Sequence, residues 1–300
     1  MSRIGVDFGG TKIEAAALDA EGRFVSRLRA ANPGDYCGAI ETVRVLVLRV
    51  EGEAGVRGVP VGVGIPGSIS PATGLVRGAN SVFLNGMAFD KDLAAALQRP
   101  VRVQNDANCF ALSEAFDGAA RGAEVVFGVI LGTGCGGGVV VGGALAGGHN
   151  RIAGEWGHTP LPWPTIGEQD ALPCWCGRRG CLERYISGTG FCDDYEAAAG
   201  RRLTGEAIVA AARAGQADAA AALDRYIDRL GRGLAVVCDI LDPDVVVCGG
   251  GMSNVAEIYD RVGQIIARHV FSDVFATRVA PAVHGDSSGV RGAAWLWPMV

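Results

Sequence analysis

An apolar strand that runs directly into a glycine-rich turn and then into a second strand occurs twice in this chain. The first copy spans residues 4–19 and the second spans residues 125–143. Glycines allow backbone N–H groups to turn toward an anion. Valines follow the second turn, which favours a strand over the helix that a dinucleotide-binding turn requires. We interpret the pattern as a weak internal duplication that predicts two lobes, each beginning with a phosphate loop.

Length and charge limit the class of partner. The 300 residues can bury a large core, and this length favours two lobes over one. A formal net charge of -5 argues against nucleic acid or an anionic membrane, because both need a clustered basic face. No charged-then-apolar leader precedes the first strand, and no apolar run reaches membrane-spanning length. We therefore expect a cytoplasmic protein that acts on small molecules.

The spacing of apolar residues predicts the other elements. A hairpin signal at residues 19–22 should extend the first strand into a β-meander. A Gly-Thr-Gly sequence at residues 188–190 is interpreted as a further turn. Helical spacing predicts helices over residues 36–50, 223–241 and 255–270.

The glycine turns supply candidate ligands for a nucleotide and magnesium. Backbone N–H groups can cradle phosphate, Thr11 can donate a further hydrogen bond, and Asp7 can hold hydrated magnesium. A third strand-then-glycine signal at residues 245–251 could receive a purine or ribose against bare backbone. A plain Gly-Gly hairpin explains the first turn equally well. The candidates are Asp7, Gly9, Gly10, Thr11, Lys12, Gly132, Thr133, Gly134, Gly249, Gly250 and Gly251.

Asn105 and Asp106 lie where an apolar strand, residues 101–104, passes into a helix. The carboxyl end of a parallel strand beside a helix N-terminus is where α/β proteins bind ligands. A helix N-cap is the alternative role for Asp106. Asp106 becomes the leading catalytic candidate if a phosphate loop lies opposite it. Asn80 could offer its amide to a hydroxylated substrate, although the polarity of its loop explains it as well.

One stretch gathers three cysteines and a histidine, with a glutamate near each end. Four such donors suit tetrahedral zinc, and the protein would fill every coordination position. The metal would therefore be structural and would hold the two glutamates in place for other chemistry. The donors are His158, Cys174, Cys176 and Cys181, and the glutamates are Glu155 and Glu183.

Taken in order, these motifs resemble the ROK family of sugar kinases over essentially the whole chain. Each motif is weak alone, whereas the ordered set is specific. The wording of residues 65–71, 85–86, 89–93 and 284–298 resembles the bacterial fructokinases of the manno(fructo)kinase type. The motifs that carry the family resemblance are residues 7–12, 104–108, 131–134, 155–158, 174–183 and 249–251.

The resemblance implies an α/β, two-lobed, actin-like (ribonuclease-H-type) ATPase fold, with a central nucleotide and sugar cleft and a small zinc-binding loop. The lobes would be residues 1–117 and 118–300, with the last helix able to pack back on the first lobe. The implied activity is ATP-dependent phosphorylation of fructose at the 6-hydroxyl, with mannose, glucose and N-acetylglucosamine behind it. ATP, Mg²⁺ and structural Zn²⁺ would be the cofactors, and the protein would be a homodimer.

The resemblance also assigns roles to single residues. Asp106 would be the general base for the sugar hydroxyl. If one ring nitrogen of His158 binds zinc, the other can donate to a sugar hydroxyl. The zinc ligands would be His158, Cys174, Cys176 and Cys181. The residues around the sugar would be Gly67, Asn80, Asn105, Asp106, Glu155, His158 and Glu183.

Three rival classes explain less of the sequence. A sugar-responsive repressor of the same family needs a DNA-binding module, and a first phosphate loop at Asp7 leaves no room for one before it. A metallohydrolase needs an open coordination position, which four protein ligands do not leave. A zinc-ribbon interaction protein would explain the cysteines but not three glycine turns placed after strands.

Overall fold

A computed structural model describes residues 2–169 and 171–297 of the chain. The chain divides into two compact units. The first unit comprises Met1–Arg121, Gly143–Ala153 and His284–Val300, and the second comprises Gly122–Gly142 and Gly154–Val283. The start of the first predicted lobe, residue 1, and the end of the second, residues 298–300, lie outside the described residues.

A five-stranded sheet forms the centre of the first unit. Its strands are β1 (Arg3–Phe8), β2 (Lys12–Leu18), β3 (Phe24–Ala31), β4 (Val61–Ile65) and β7 (Val101–Asn105), and a separate pair consists of β5 (Ser68–Ile69) and β6 (Val76–Arg77). The order in the sheet is β3-β2-β1-β4-β7. The first three strands pair antiparallel, which confirms the predicted meander, whereas β1, β4 and β7 are parallel.

Helices cover this sheet, and α1 illustrates how the sequence sets their ends. The helices of the first part of the chain are α1 (Tyr36–Ala54), α2 (Phe89–Leu97) and α3 (Asp106–Phe116). The Asp35 side chain accepts a hydrogen bond from the Gly38 N–H and begins α1, and Gly55 ends it with a φ of 68°. The helix is longer than the predicted 36–50, and beyond Val50 it buries Glu51 and packs Ala54 against the core.

The second unit is built around a second mixed sheet. Its strands are β8 (Val125–Leu131), β9 (Cys135–Val141), β11 (Val245–Gly249) and β12 (Arg278–Pro281), and the short strand β10 (Ala144–Leu145) follows β9 in the chain. Strand β8 pairs antiparallel with β9 and parallel with β11, which pairs parallel with β12. The valines after the second glycine turn thus form a strand, as predicted.

The helices of the second unit pack against one another and enclose its core. They are α4 (Glu183–Ile186), α5 (Gly188–Ala199), α6 (Gly205–Arg213), α7 (Ala217–Leu241) and α8 (Ala256–His269). Helices α7 and α8 confirm two of the helices predicted from apolar spacing. Among the described residues, no helix is long and apolar enough to cross a membrane.

The Gly-Thr-Gly sequence at residues 188–190 forms the first turn of α5, so the prediction of a turn there was wrong. The Ser187 side chain accepts a hydrogen bond from the Gly190 N–H at 3.0 Å and acts as the N-cap. Glycines are poor helix formers, but a first turn capped by serine tolerates them. The serine before the glycines was the signal that outweighed them.

The last described helix, α9 (Ser288–Ala294), lies directly on the sheet of the first unit. A Cβ on Gly62 of β4 would lie 1.8 Å from the Ala293 carbonyl oxygen, and one on Gly5 of β1 would lie 2.0 Å from the Val290 oxygen. Main-chain atoms of the helix therefore fill the space that side chains would take. The helix and sheet can approach this closely only if both positions are glycine.

We predict that Gly62→Ala destabilises the protein by about 3 kcal/mol, because the new methyl group would overlap a carbonyl oxygen that cannot move alone. Urea unfolding of the two proteins measures the difference. Gly52→Ala is the matched control. A Cβ on Gly52 meets no atom within 4 Å, and alanine inside α1 should stabilise by roughly 0.5–1 kcal/mol. Equal stability of the wild type and Gly62→Ala would contradict the close packing.

Candidate functional site

Asp7 is the most perturbed carboxylate of the first unit. It lies on β1, and its register partner on β2 is Glu14. Removal from water, helped by the charges of Asp106 and Glu14 and opposed by those of Lys12 and Arg29, raises the pKa of the Asp7 carboxyl to about 6. Burial penalises the charged form, and two carboxylates repel a third. A site of this kind favours a cation.

The first glycine turn connects β1 to β2. The Gly9 N–H donates to the Lys12 carbonyl at 2.9 Å, and the Asn32 side chain donates to the Gly9 carbonyl at 2.8 Å. The Asn32 N–H also donates to the Thr11 carbonyl at 3.0 Å. Thr11 and Lys12 remain exposed. The turn is thus a Gly-Gly hairpin, one of the two alternatives that the sequence allowed. It also leaves the Thr11 hydroxyl and the Lys12 ammonium group accessible near Asp7.

Asn105, and not Asp106, is the N-cap of α3. The Asn105 side chain accepts from the Ala107 N–H at 2.9 Å and donates to the Gly67 carbonyl at 3.2 Å. Asp106 is the first residue of the helix and is exposed, and its carboxylate also accepts from the Ala107 N–H, at 2.8 Å. The structure thus brings Gly67, Asn105 and Asp106 together and leaves the Asp106 carboxylate accessible.

Asn80 lies on an exposed loop of the same unit. The neighbouring Asn85 closes this loop, because its side chain accepts from the Ala79 N–H and donates to the Ala79 carbonyl, both at 2.9 Å. Asn85 is therefore a structural residue, and it holds Asn80 at the surface.

The glycine signals of the second unit meet at one place. The Gly132 N–H donates to the Gly134 carbonyl at 3.0 Å and closes the turn after β8, and the Gly188 N–H donates to the Gly132 carbonyl at 2.7 Å. Gly250 has a φ of 82°, and a Cβ on it would lie 2.6 Å from the Leu131 carbonyl. The turn at Gly132, the start of α5 and the turn after β11 therefore form one glycine-lined surface, which suits a phosphate or a nucleoside.

The remaining glycines of the second turn position the residues that precede the cysteines. Cys135 to Gly138 belong to β9. A Cβ on Gly154 would lie 2.3 Å from the Gly137 oxygen, so the segment that leads to the 3-10 helix Trp156–His158 lies directly on the strand. Glu155 is exposed and precedes this helix. Strand β9 is thus the support on which Glu155 and His158 are held.

Four donors form a compact cluster after this helix. The ligand atoms of His158, Cys174, Cys176 and Cys181 all lie within 4.8 Å of one another. The Cys174 sulfur lies 3.8 Å from His158 Nδ1, and the Cys176 and Cys181 sulfurs lie 3.6 Å apart. A tetrahedral ion with metal–sulfur bonds of about 2.3 Å places its ligands roughly 3.5–3.8 Å apart. The donors and their spacing therefore fit zinc, with Nδ1 as the histidine ligand.

The protonation of two thiols agrees with a cation site. Burial, together with the hydrogen bonds that the Cys181 thiol donates to Cys176 and Cys174, raises the pKa of Cys181 to about 12. A backbone hydrogen bond from Arg178 lowers the pKa of the more accessible Cys176. A bound cation would favour the thiolate form of each, because it supplies the missing opposite charge.

Trp175, to which the sequence motifs assigned no role, contacts the candidate residue Glu183. Its indole N–H donates to Glu183 Oε1 at 2.7 Å, and the Cys135 N–H donates to Oε2 of the same carboxylate at 2.9 Å. Both Glu183 oxygens are therefore held by fixed donors. The only sequence signal for a role of Trp175 was its position between Cys174 and Cys176. The spacing of the metal ligands explains those two cysteines without giving the residue between them a function.

A cavity of about 1010 Å³ in the first unit is lined by none of the candidate site residues described above. It is lined in part by Arg3, Arg102, Trp295 and Trp297. The Arg3 guanidinium lies 4.0 Å from the centre of the Trp295 ring, and that of Arg102 lies 4.1 Å from the centre of the Trp297 ring. These cation–π contacts hold Trp295 and Trp297 beside strands β1 and β7. We therefore do not include the cavity in the candidate site.

Comparison with known proteins identifies the family. The family model described as ROK matches residues 3–300. An N-acetyl-D-glucosamine kinase of Photobacterium profundum is 40% identical over 297 residues, which cover 97% of this chain and 98% of that protein. The chain belongs to the ROK family.

Solved structures agree with this assignment. A ROK hexokinase from Thermus thermophilus superposes with a TM-score of 0.89 at 32% identity and covers 98% of this chain and 97% of its own. A ROK family glucokinase from Streptomyces griseus, in complex with glucose and AMPPNP, gives a TM-score of 0.80 at 29% identity with 99% of both chains covered. The fold is that of the actin-like sugar kinases, as the sequence motifs implied.

The raised pKa of Asp7 predicts how stability depends on pH. As pH rises from 4 to 6, the unfolded chain releases the Asp7 proton before the folded protein does, so this group lowers stability across that window. At pH 7.5 without divalent cations, Asp7→Asn should raise the free energy of unfolding by up to about 3 kcal/mol. At pH 4 most of the gain should be absent.

Urea unfolding at both pH values, with a chelator present, measures this effect. Asp35→Asn is the control, because asparagine caps a helix as well as aspartate does and its effect should be small at either pH. A loss of stability in Asp7→Asn at pH 7.5 would contradict the assigned burial of the charge.

Proposed function

We propose that the protein transfers the γ-phosphoryl group of ATP to the 6-hydroxyl of a hexose, with N-acetylglucosamine as the preferred acceptor. The observation that carries the proposal is the 40% identity to a protein named N-acetyl-D-glucosamine kinase along nearly the whole of both chains. Glucose and mannose are the alternatives, since a few hydroxyl-facing groups decide among such sugars. Fructose, which the sequence motifs favoured, has no support among the relatives compared.

Residues of both units suit the phosphate side of the reaction. In the first unit, Asp7 and the exposed Thr11 and Lys12 offer the carboxylate, hydroxyl and ammonium groups that a magnesium nucleotide requires. In the second unit, the glycine-lined surface at Gly132 and Gly250 offers bare backbone to the nucleotide. When bound, magnesium would neutralise charge on the transferring phosphoryl group.

Asp106 is the proposed general base. Its carboxylate is exposed at the start of α3, and the Ala107 N–H fixes one of its oxygens. Phosphoryl transfer mainly requires positioning, with one carboxylate near the acceptor hydroxyl. Asp106 would accept the proton of the 6-hydroxyl as that oxygen forms its bond to the γ-phosphorus, and the bond from this phosphorus to the bridging oxygen would break to release ADP. Asn105 and Gly67, which are hydrogen-bonded to each other, would hold the loop beside it.

Glu155, His158 and Glu183 are the proposed sugar-recognition residues of the second unit. Each carboxylate can accept more than one hydroxyl hydrogen bond. Because His158 Nδ1 faces Cys174, its Nε2 is the nitrogen that can donate to a hydroxyl. Zinc held by His158 and the three cysteines would fix the orientation of this ring and the course of the loop up to Glu183. The metal would act as a structural cross-link and not as a catalyst.

A phosphorylation assay with ATP and four hexoses tests the proposal. N-acetylglucosamine, glucose, mannose and fructose are compared by kcat/KM under identical conditions. We expect the highest value for N-acetylglucosamine. Phosphorylation of none of the four would contradict a hexose kinase, and sugar binding without turnover would favour a non-catalytic regulator of the same family.

Asp106→Asn should lower kcat by at least about a hundredfold, because the acceptor hydroxyl loses its base. Sugar binding, measured by calorimetry, should change little, since asparagine keeps the shape and an oxygen acceptor. Asp35→Asn changes the same residue type at another helix start and should leave kcat unaltered. A wild-type kcat in Asp106→Asn would remove Asp106 from the mechanism.

Cys176→Ser should release zinc and weaken sugar binding more than ATP binding. Zinc content is measured by elemental analysis, and each dissociation constant by calorimetry. Cys37→Ser is the control, because Cys37 is exposed and lies outside the cluster. If the zinc-free variant binds the sugar as tightly as the wild type, the metal does not support the sugar site.

A further inference from the structure

Glu183 is held by two hydrogen bonds that come from different parts of the second unit. The Cys135 N–H, at the start of β9, donates to Oε2, and the Trp175 indole N–H donates to Oε1. Hydrogen bonds to a carboxylate are among the strongest in proteins. A carboxylate has about four acceptor positions, so two positions are used and two remain for hydroxyl groups. Together the two donors fix the plane of the carboxylate.

Core packing does not account for the position of Trp175. The residue is 73% exposed, an unusual state for the largest apolar side chain. Its restraints are local. The Gly177 N–H donates to the Cys174 carbonyl at 3.1 Å and closes a tight turn around it. The indole also meets the His158 ring edge-to-face, with the ring centres 5.1 Å apart. The indole is therefore held between two of the proposed sugar-recognition residues.

We infer that Trp175 is a positioning residue that orients the Glu183 carboxylate for the sugar hydroxyls and connects the metal cluster to it. The inference rests on the proposed function. The flanking Cys174 and Cys176 belong to the donor cluster, so an ion bound there fixes the backbone on both sides of Trp175. The indole carries that constraint to Glu183. The hydrogen bond from Trp175 to Glu183 is thus the inferred structural connection between the cysteines and the sugar site.

Trp175→Phe tests this role, because phenylalanine keeps an aromatic ring against His158 and removes only the N–H donor. The dissociation constant and KM for N-acetylglucosamine should rise roughly tenfold, as loss of a hydrogen bond to a charged group implies. The KM for ATP and the zinc content should not change, and kcat should fall less than threefold. A residue that only supports the loop would instead alter zinc content or thermal stability.

Trp163→Phe is the matched control. Trp163 is another partly exposed tryptophan of the second unit, and its ring lies against His269. This variant should bind the sugar as the wild type does. Glu183→Gln is the positive control and should weaken sugar binding at least as much as Trp175→Phe.

The outcomes separate the inference from the proposed function. If Glu183→Gln weakens binding while Trp175→Phe binds as the wild type, the hexose site stands and the role of Trp175 is wrong. If Trp175→Phe loses zinc, or if it weakens ATP binding to the same extent as sugar binding, Trp175 only supports the loop. If the wild type binds none of the four hexoses, the proposed function and the inference both fail.

Discussion

Direct contact between backbone segments at glycine is the constraint on which both units depend. In the first unit, α9 reaches the sheet only because Gly5 and Gly62 leave space for its main chain. In the second unit, the segment that carries His158 lies on β9 because Gly137 meets Gly154. Interiors packed this closely cannot absorb an added methyl group without moving an entire element. The glycines therefore set the positions of the polar groups as well as the course of the loops.

Each unit gathers groups of one chemical kind that a cation would stabilise. In the first unit, burial and the nearby carboxylates of Asp106 and Glu14 make Asp7 retain its proton to a higher pH. In the second unit, three thiols and an imidazole are packed within 4.8 Å. Clusters of this kind are unfavourable when charged and unpaired. The thiol and imidazole cluster has the donors and spacing that suit a metal ion, and the proposed magnesium at Asp7 would offset the penalty of its charge.

The sequence predicted the elements well where periodicity and caps agreed. The hairpin signal at residues 19–22 and the apolar faces of α7 and α8 depend on neighbours in the chain, which a sequence displays directly. The start of α5 was predicted wrongly because the Ser187 cap stabilises a helix at a Gly-Thr-Gly sequence that is typical of a turn. The assignment of the N-cap to Asn105 and the bond between Trp175 and Glu183 depend on side-chain direction in three dimensions. Spacing along a chain does not contain that information.

The position of α9 has a consequence for biosynthesis. Residues of the last described helix complete the packing of β1 and β4, which leave the ribosome long before that helix. Contacts between distant parts of a chain form late, because the intervening residues must be made and ordered first. The second unit, by contrast, is complete once residue 283 has emerged. The part of the early sheet that α9 covers should therefore stay exposed during translation, and this interval is when the nascent chain would be most prone to aggregation or to chaperone capture.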